Sequence, residues 1–395
     1  MRVLVSTTAG TGHFGPLVPF AAALRRAGHQ VVVASPASFA GGVLAAGFEH
    51  EPFGEPRPEE LGAVFGRLPA LSMAEANRIV LVEVFGTLDA RAAYPGLGEI
   101  FDRLRPDLVV REPAEVASLV HAEARGIAHL SVNIGLDSMI DHLLPVAAAL
   151  ADLGLADPEQ CLRQEPRWTL LPESIDVSPK ATVGSRPLRF RETPDTTAGA
   201  PLPGWGSPED PLVYISFGTV AAGLGLFPAL YRGVLDAVSE LPVRVMLTTG
   251  RGVEGDKLGP LPPNAHVEAW WPQADVLTLA SVVVHHGGFG TLLGALTAGR
   301  PQVILPLFSV DQFDNAARVH AAKVGVSVPA DLSSAGDGPS MTFPSPALMA
   351  MLGITVQAVL TDPGYLQRAG QYADEVAALP TTADCVAATD HLVNS

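Results

Sequence analysis

The chain is poor in positive charge and in sulfur. Its 395 residues carry 25 Lys plus Arg against 41 Asp plus Glu, a formal net charge of −16. Lys180, Lys257 and Lys323 are its only lysines. This balance argues against nucleic acid or an anionic membrane surface as partner, because both are held mainly by clustered cations. It also means that any phosphate in a substrate must be met by backbone dipoles and a few placed donors. Cys161 and Cys385 lie far apart and form no metal-ligand spacing. That excludes a disulfide framework and sets the expectation of a reduced, cytoplasmic setting. No apolar run is long enough to span a bilayer, and the opening MRVLVSTTAG has a strand pattern without a leader's cleavage site, so neither membrane insertion nor secretion is expected.

What is present is a large core. Hydrophobic residues make up 48% of the chain and charged residues 17%, which describes a globular protein rather than a disordered one. At this length two domains are the natural division. Short β-branched runs alternate with helical patterns: RVLVSTTA, QVVVASP, DLVVRE and AHLSVNI in the first half, then PLVYISFG, VRVMLTTG, AHVEAW, SVVVHHGG and PQVILPL in the second. Continuous apolar runs of this kind are buried parallel strands, and their alternation with helices implies βαβ units. The expected fold class is therefore α/β, with two facing Rossmann-like, doubly wound domains. Residues 1–200 form the first and 201–375 the second, and 376–395 form a terminal helix packing back on the first. The stretch 189–211, rich in proline, glycine and acid, is the expected linker, and 330–346 an expected surface loop. In such sheets ligands sit beyond the carboxyl ends of the strands.

Two glycine loops stand at such places. The first, Gly10-x-Gly12-x-x-Gly15, follows the first strand. As a dinucleotide fingerprint it would need an acid at the end of the second strand, but that strand ends in Ser35-Pro36. Instead the loop presents His13 at the start of a helix, with Pro16 and Pro19 preorganising the first turns. An imidazole so placed suits a general base, or else packs as a capping residue. The second loop runs His285-His286-Gly287-Gly288-Phe289-Gly290-Thr291 between a strand and a helix. Glycines admit a ligand to the backbone, and a helix N-terminus offers unpaired N–H groups and a positive dipole end, which together make a diphosphate site. His286 is its expected phosphate donor, while His285 reads as a buried strand-end residue. Upstream, Trp270 and Trp271 precede Pro272 and Gln273; an indole face suits a base and a glutamine a ribose, although both tryptophans would also fit a core. Downstream, Asp311 and Gln312 suit sugar hydroxyls or helix capping.

Taken in order, Trp-x-Pro-Gln, His-Gly-Gly-x-Gly-Thr and Pro-x-x-x-x-Asp-Gln resemble the donor-binding half of the family 1, GT-B glycosyltransferases, in particular actinobacterial antibiotic and macrolide enzymes. The resemblance runs from the first glycine-histidine loop to DQFDNAARV. It implies that Trp270 stacks on uracil or thymine, the Trp271 backbone meets the base edge, and Gln273 meets the ribose. His286, Gly288, Gly290 and Thr291 would cradle the diphosphate, joined by Gly218 and Thr219 of SFGT and by Gly12. Asp311 and Gln312 would contact the sugar, and His13 would be the general base of an inverting transfer. The co-substrate is then a dTDP-sugar, or alternatively a UDP-sugar, with no other cofactor. No Asp-x-Asp pair lies beside these motifs, so metal independence is expected.

One departure matters. The family often places an aspartate after the strand PDLVVREP to orient the base; here stand Arg111 and Glu112. Glu112 or Asp137 is the expected orienting acid, and Arg111 a candidate for holding an acidic acceptor. Phe289 is a candidate for narrowing the sugar pocket. Phe65, Met73, Phe85 and Met139 lie on apolar helical patterns that either line an aglycone pocket or pack as core. The partners expected are a small-molecule aglycone and a nucleotide sugar, with a homodimer left open. The leading reading is transfer of a deoxysugar to a natural-product hydroxyl. The rivals are a UDP-glucose-dependent enzyme, a C-glycosyltransferase with Asp137 as base, a nucleotide-sugar epimerase and a non-catalytic scaffold.

Overall fold

A computed structural model describes residues 1–176, 186–192, 201–328 and 345–394. The chain divides into two compact units, Met1–Pro194 with Leu379–Ser395, and Asp195–Ala378. The first is built on β1 (Arg2–Ser6), β2 (Gln30–Pro36), β3 (Glu49–Phe53), β4 (Leu108–Arg111), β5 (Ala128–Val132), β6 (Arg167–Thr169) and β7 (Leu188–Arg189). The second is built on β8 (Leu212–Ser216), β9 (Arg244–Thr248), β10 (Ala265–Glu268), β11 (Val282–His285), β12 (Gln302–Ile304) and β13 (Gly325–Ser327).

All pairings between these strands are parallel. The sheet orders are β3-β2-β1-β4-β5-β6-β7 and β10-β9-β8-β11-β12-β13, so each unit repeats one doubly wound plan. The central strands are buried on both faces, as the Val-rich runs require. In each unit the order reverses between the first strand and the fourth, at β1/β4 and at β8/β11. That switch point, beyond the carboxyl ends, is where such sheets bind ligands.

The N-terminal core gathers Leu4, Leu97, Phe101, Val109 and Leu119. The C-terminal core gathers Val213, Ile215, Tyr231, Val284 and Val356 around its own sheet. The helix Cys385–Asn394 packs on the helix Val18–Arg26 and on β5, and Arg191 pairs with Thr381. The expected linker is thus shorter than 189–211: Arg189 lies in β7, Phe190 is buried, and Trp205 stacks on His266 at 4.9 Å. Residues 193–200 of it lie outside the described residues, as does nearly all of the expected loop 330–346, whose last two residues, Ser345 and Pro346, cap and open the helix Pro346–Thr361. Among the described residues no single helix is long and apolar enough to cross a membrane.

Pro346–Thr361 lies close against the helix Ala229–Val238 because Gly353 has no side chain: a Cβ there would stand 2.4 Å from the Ala237 carbonyl oxygen. Gly353→Val should therefore destabilise the C-terminal unit by about 1–3 kcal/mol through overpacking. Ile354→Ala, on a residue 71% exposed, should change it by less than about 0.5 kcal/mol. Equal effects in denaturant melts of the two variants would contradict this packing.

Candidate active site

The loop after β1 turns at Gly10, whose φ of 130° suits only glycine, and leads into the single helical turn Thr11–Phe14. A turn through Gly15–Leu17 and the helix Val18–Arg26 follow, carrying Pro16 and Pro19 in their first positions. Gly12 stands one residue before His13, with open space where a Cβ would go. The His13 ring is a quarter exposed, and its Nδ1 stands 3.3 Å from Oε1 of Glu112. Glu112 follows β4 and is fully buried. Its Oε1 accepts from the Thr8 amide at 3.2 Å and the Thr8 hydroxyl at 2.8 Å, and its Oε2 from the Ala114 amide at 2.6 Å. Burial alone would raise its pKa, but His13, the Ala114 amide and Thr8 hold it below the usual carboxylate value. A fixed anion against Nδ1 favours the tautomer with its proton on Nδ1 and its lone pair on Nε2.

Arg111, next in sequence, points to the opposite face of β4. It is 1% exposed and pairs with Glu165, its Nε at 2.8 Å from Oε1. Its Nη1 donates to the carbonyls of Glu112, Pro113 and Glu115. The idea that Arg111 holds an acidic acceptor is therefore corrected: it clamps the loop that carries Glu112. Asp137 is also committed elsewhere. Its Oδ1 accepts from Arg167 Nε at 2.8 Å and from Asn133 Nδ2 at 3.0 Å, and only 9% of the residue is exposed. Of the two expected orienting acids, Glu112 is the one the structure brings to His13.

The four acceptor-side candidates are all at least partly exposed. Phe65 ends the helix Pro58–Phe65 and is 46% exposed. Met73 opens the helix Met73–Ile79, and Met139 opens Met139–Leu143. Phe85 stands out, because its ring centroid lies 5.4 Å from that of His13.

In the C-terminal unit, two loops at the β8/β11 switch point build one cradle. After β11, Gly288 caps the helix Phe289–Thr297 with no side-chain hydrogen bond, leaving the first amides unpaired by any cap. The helix thus begins two residues before Thr291. Gly290 is exposed at its first turn, and a Cβ added there would meet nothing within 4 Å. His286 is wedged between two glycines: a Cβ on Gly218 would fall 2.8 Å from its Cε1, and one on Gly288 2.6 Å from its Nε2. Gly218 turns the loop after β8 at φ 71°, and Thr219 beside it is exposed. Burial pushes the His286 pKa down to about 4, so the ring is neutral at pH 7. His285 is fully buried, accepts from the Gly287 amide at Nδ1 and faces Gln302 at 2.9 Å through Nε2. Burial holds its pKa at about 3.

Trp270 presents an exposed ring, 49% accessible, with the Arg251 guanidinium 4.0 Å from its centroid. Trp271 packs on the cluster of Leu212, Tyr214 and Val276. Gln273 starts the next helix and its Nε2 donates to the Thr291 hydroxyl at 3.0 Å, tying the tryptophan segment to the glycine loop. Asp311 is half-buried in the first turn of the helix Val310–Ala321 and accepts from the Ser309 hydroxyl. Gln312 is 3% exposed, and its oxygen accepts from the Leu307 and Phe308 amides at 2.9 and 3.1 Å. Only its Nε2 hydrogens are left to offer a sugar. Phe289 is buried at 6% exposure in the start of its helix, which corrects its reading as a wall of the sugar pocket. Sequence reasoning missed Asp89, Thr8 and Arg251; only Arg251, in a Gly-Arg-Gly turn after a strand, carried a local signal.

The fold has known counterparts. Glycosyltransferase VinC, solved in complex with dTDP, superposes with a TM-score of 0.76 at 24% identity, covering 100% of both chains, and the architecture is the two-domain GT-B fold. The L-demethylnoviosyl transferase of Streptomyces niveus is 31% identical over 372 residues, 86% of this chain and 91% of that protein. Elloramycin glycosyltransferase ElmGT of Streptomyces olivaceus is 29% identical over 98% of this chain and 96% of its own. Residues 232–392 match the family described as erythromycin biosynthesis protein CIII-like, C-terminal domain. The chain belongs to the glycosyltransferases of antibiotic biosynthesis.

The two buried histidines make the C-terminal unit acid-sensitive. Unfolding restores them from about 3 and about 4 toward 6.5, so below that value the unfolded chain binds protons that the folded chain refuses. Their contribution to stability is whole above about pH 6.5 and is lost as pH falls toward 4. Stability of this unit should drop across that window. His285→Gln should flatten the slope by up to about 1.4 kcal/mol per pH unit. An unchanged slope in denaturant titrations at stepped pH would count against neutral, buried rings.

Proposed function

We propose that this enzyme transfers a deoxysugar from a dTDP-sugar to a hydroxyl of a natural-product aglycone, with inversion, and that His13 is its general base. The observation that carries the reading is the His13–Glu112 pair: a partly exposed imidazole whose inner nitrogen stands 3.3 Å from a fully buried carboxylate. The thymidine nucleotide is supported by the dTDP complex of VinC, and the deoxysugar and natural-product acceptor by the names of the relatives.

The chemistry follows from these groups. The acceptor oxygen forms a bond to the anomeric carbon while His13 Nε2 takes its proton. The bond from that carbon to the diphosphate oxygen breaks with its electron pair on the diphosphate. Glu112 stabilises the imidazolium as it forms and holds the ring in the productive tautomer. Negative charge grows on the leaving group, where the amides and dipole of the helix Phe289–Thr297 meet it. His286, being neutral, contributes a hydrogen bond rather than a charge. Trp270 stacks on the base, with Trp271 and Gln273 beside it at the base edge and ribose. Gly218, Thr219, Gly288, Gly290 and Thr291 leave room for the phosphates. Asp311 and Gln312 serve the sugar, and Phe65, Met73, Phe85 and Met139 the aglycone. Because helix amides carry the charge, the transfer is expected to run without a divalent cation.

His13→Ala should cut turnover about 10²–10⁴-fold while leaving dTDP affinity, read by calorimetry, within about twofold. Full turnover in that variant would remove the base assignment. Gly288→Val, which drives a side chain into His286, should weaken dTDP binding at least tenfold, and a chelator should leave the rate unchanged. Equal dTDP affinity in Gly288→Val, or loss of activity with chelator, would contradict the donor half of the mechanism.

A further inference from the structure

The helix opening at Met73, N-capped by the Ser72 hydroxyl, runs on without a break through Leu104. Its middle, Val80–Asp89, is wound as a π-helix, ten residues long. Runs of this kind are rare, beyond single-turn bulges, and concentrate at functional sites. Three local features accompany it. Thr87 donates its hydroxyl to the Val82 carbonyl five residues back, at 2.7 Å. Pro95 has no N–H to give the turn before it. Gly86 lets Val146 come close, since a Cβ there would stand 2.7 Å from Val146 Cγ1.

The winding has a consequence for the active site. Residues four apart share a helix face in this winding as they do in an α-helix. Phe85 lies on that face with its ring against His13. Asp89 follows four residues later, at the end of the π segment and only partly exposed. The four charged groups acting on it come from three other places: Glu112 and Glu115 after β4, His13 after β1, and Glu55 after β3. His13 thus has one acid in contact, Glu112, and a second, Asp89, on the helix face that carries Phe85 and within reach of its charge.

We propose that Asp89 is a positioning residue for the transfer reaction: a second carboxylate that, with Glu112, raises the basicity of His13 and stabilises its protonated form. The proposal rests on the reading of His13 as general base. Burial and the charge on Glu112 push the Asp89 pKa up to about 6, so this carboxylate becomes an anion near neutral pH, where the imidazole must accept a proton. Phe85 lies beside the His13 ring and lowers the local dielectric there, which strengthens the influence of nearby charge. A like-charge pair of acids is unfavourable by itself, and an imidazolium between them relieves it. Removing the Asp89 charge should thus leave a folded enzyme with a weaker base.

The test is Asp89→Asn, which keeps shape and removes charge, measured beside Glu83→Gln. Glu83 lies on the same helix and pairs with Arg67. The His13 ring is followed by NMR in histidine-labelled enzyme, with His13→Ala identifying the signal. In Asp89→Asn the His13 titration and the acid limb of kcat/KM should both move down by about one pH unit, and kcat on the plateau should fall about tenfold, with KM for the dTDP-sugar unchanged. Glu83→Gln should leave all of these where they were. A His13 titration unmoved in a folded Asp89→Asn enzyme overturns the proposal, as does the same shift in both variants. If His13→Ala keeps full turnover, the base reading fails instead, and the NMR shift still reports separately on whether Asp89 acts on the ring.

Discussion

The candidate site of the N-terminal unit depends on burying one carboxylate. Glu112 has no exposed surface, and an isolated anion there would be prohibitively costly to desolvate. It is tolerated because two backbone amides, a threonine hydroxyl and an imidazole meet its oxygens. The backbone supplying those partners is itself held. Arg111 gathers three carbonyls of the same loop and is neutralised by Glu165, which in turn meets His129. An ion-pair network on one face of β4 thereby fixes an acid on the other. Breaking it from one side would strand a buried charge, which is the costly kind of loss. The site therefore inherits its rigidity from the sheet.

The C-terminal half solves the opposite problem. In a chain with a net charge of −16, the diphosphate of the proposed donor would be met with geometry in place of cations. The cradle offers an uncapped helix start and glycines that leave no Cβ in the way. Its one imidazole is too buried to be charged. Dipoles fixed before the reaction need no rearrangement as charge develops, which is the condition under which electrostatic stabilisation is most effective. The two units share one sheet plan, and in each the candidate groups stand at its switch point.

Much of this was legible in the sequence, for physical reasons. Val-rich runs such as RVLVS and VVVH mark strands buried on both faces, and they lie where expected. The strands missed were edge or short ones. EHEPF is polar and contains a proline, as an edge tolerates, and GVS and RWT are too brief to show a pattern. The glycine loops announced His13 and His286 because glycine beside a chemically capable side chain is a local signal. Arg111 was misread because strand alternation hides which face a residue takes when the whole strand is buried. Asp137 was misread because its partner Arg167 is thirty residues away. Asp89 was invisible: its spacing from Phe85 can be read in VLVEVFGTLD, but the contact of that helix face with His13 joins distant parts of the chain.

The central claim is that the buried carboxylate fixes the tautomer of His13, placing the proton on Nδ1 and the lone pair on Nε2. Nitrogen-15 NMR of the ring reads this directly, since protonated and bare imidazole nitrogens resonate far apart. In the folded enzyme near pH 8, His13 should show a protonated Nδ1 and an unprotonated Nε2, and Glu112→Gln should collapse that preference toward the mixture of a free imidazole. A His13 ring carrying its proton on Nε2, or a preference indifferent to Glu112, would contradict the account.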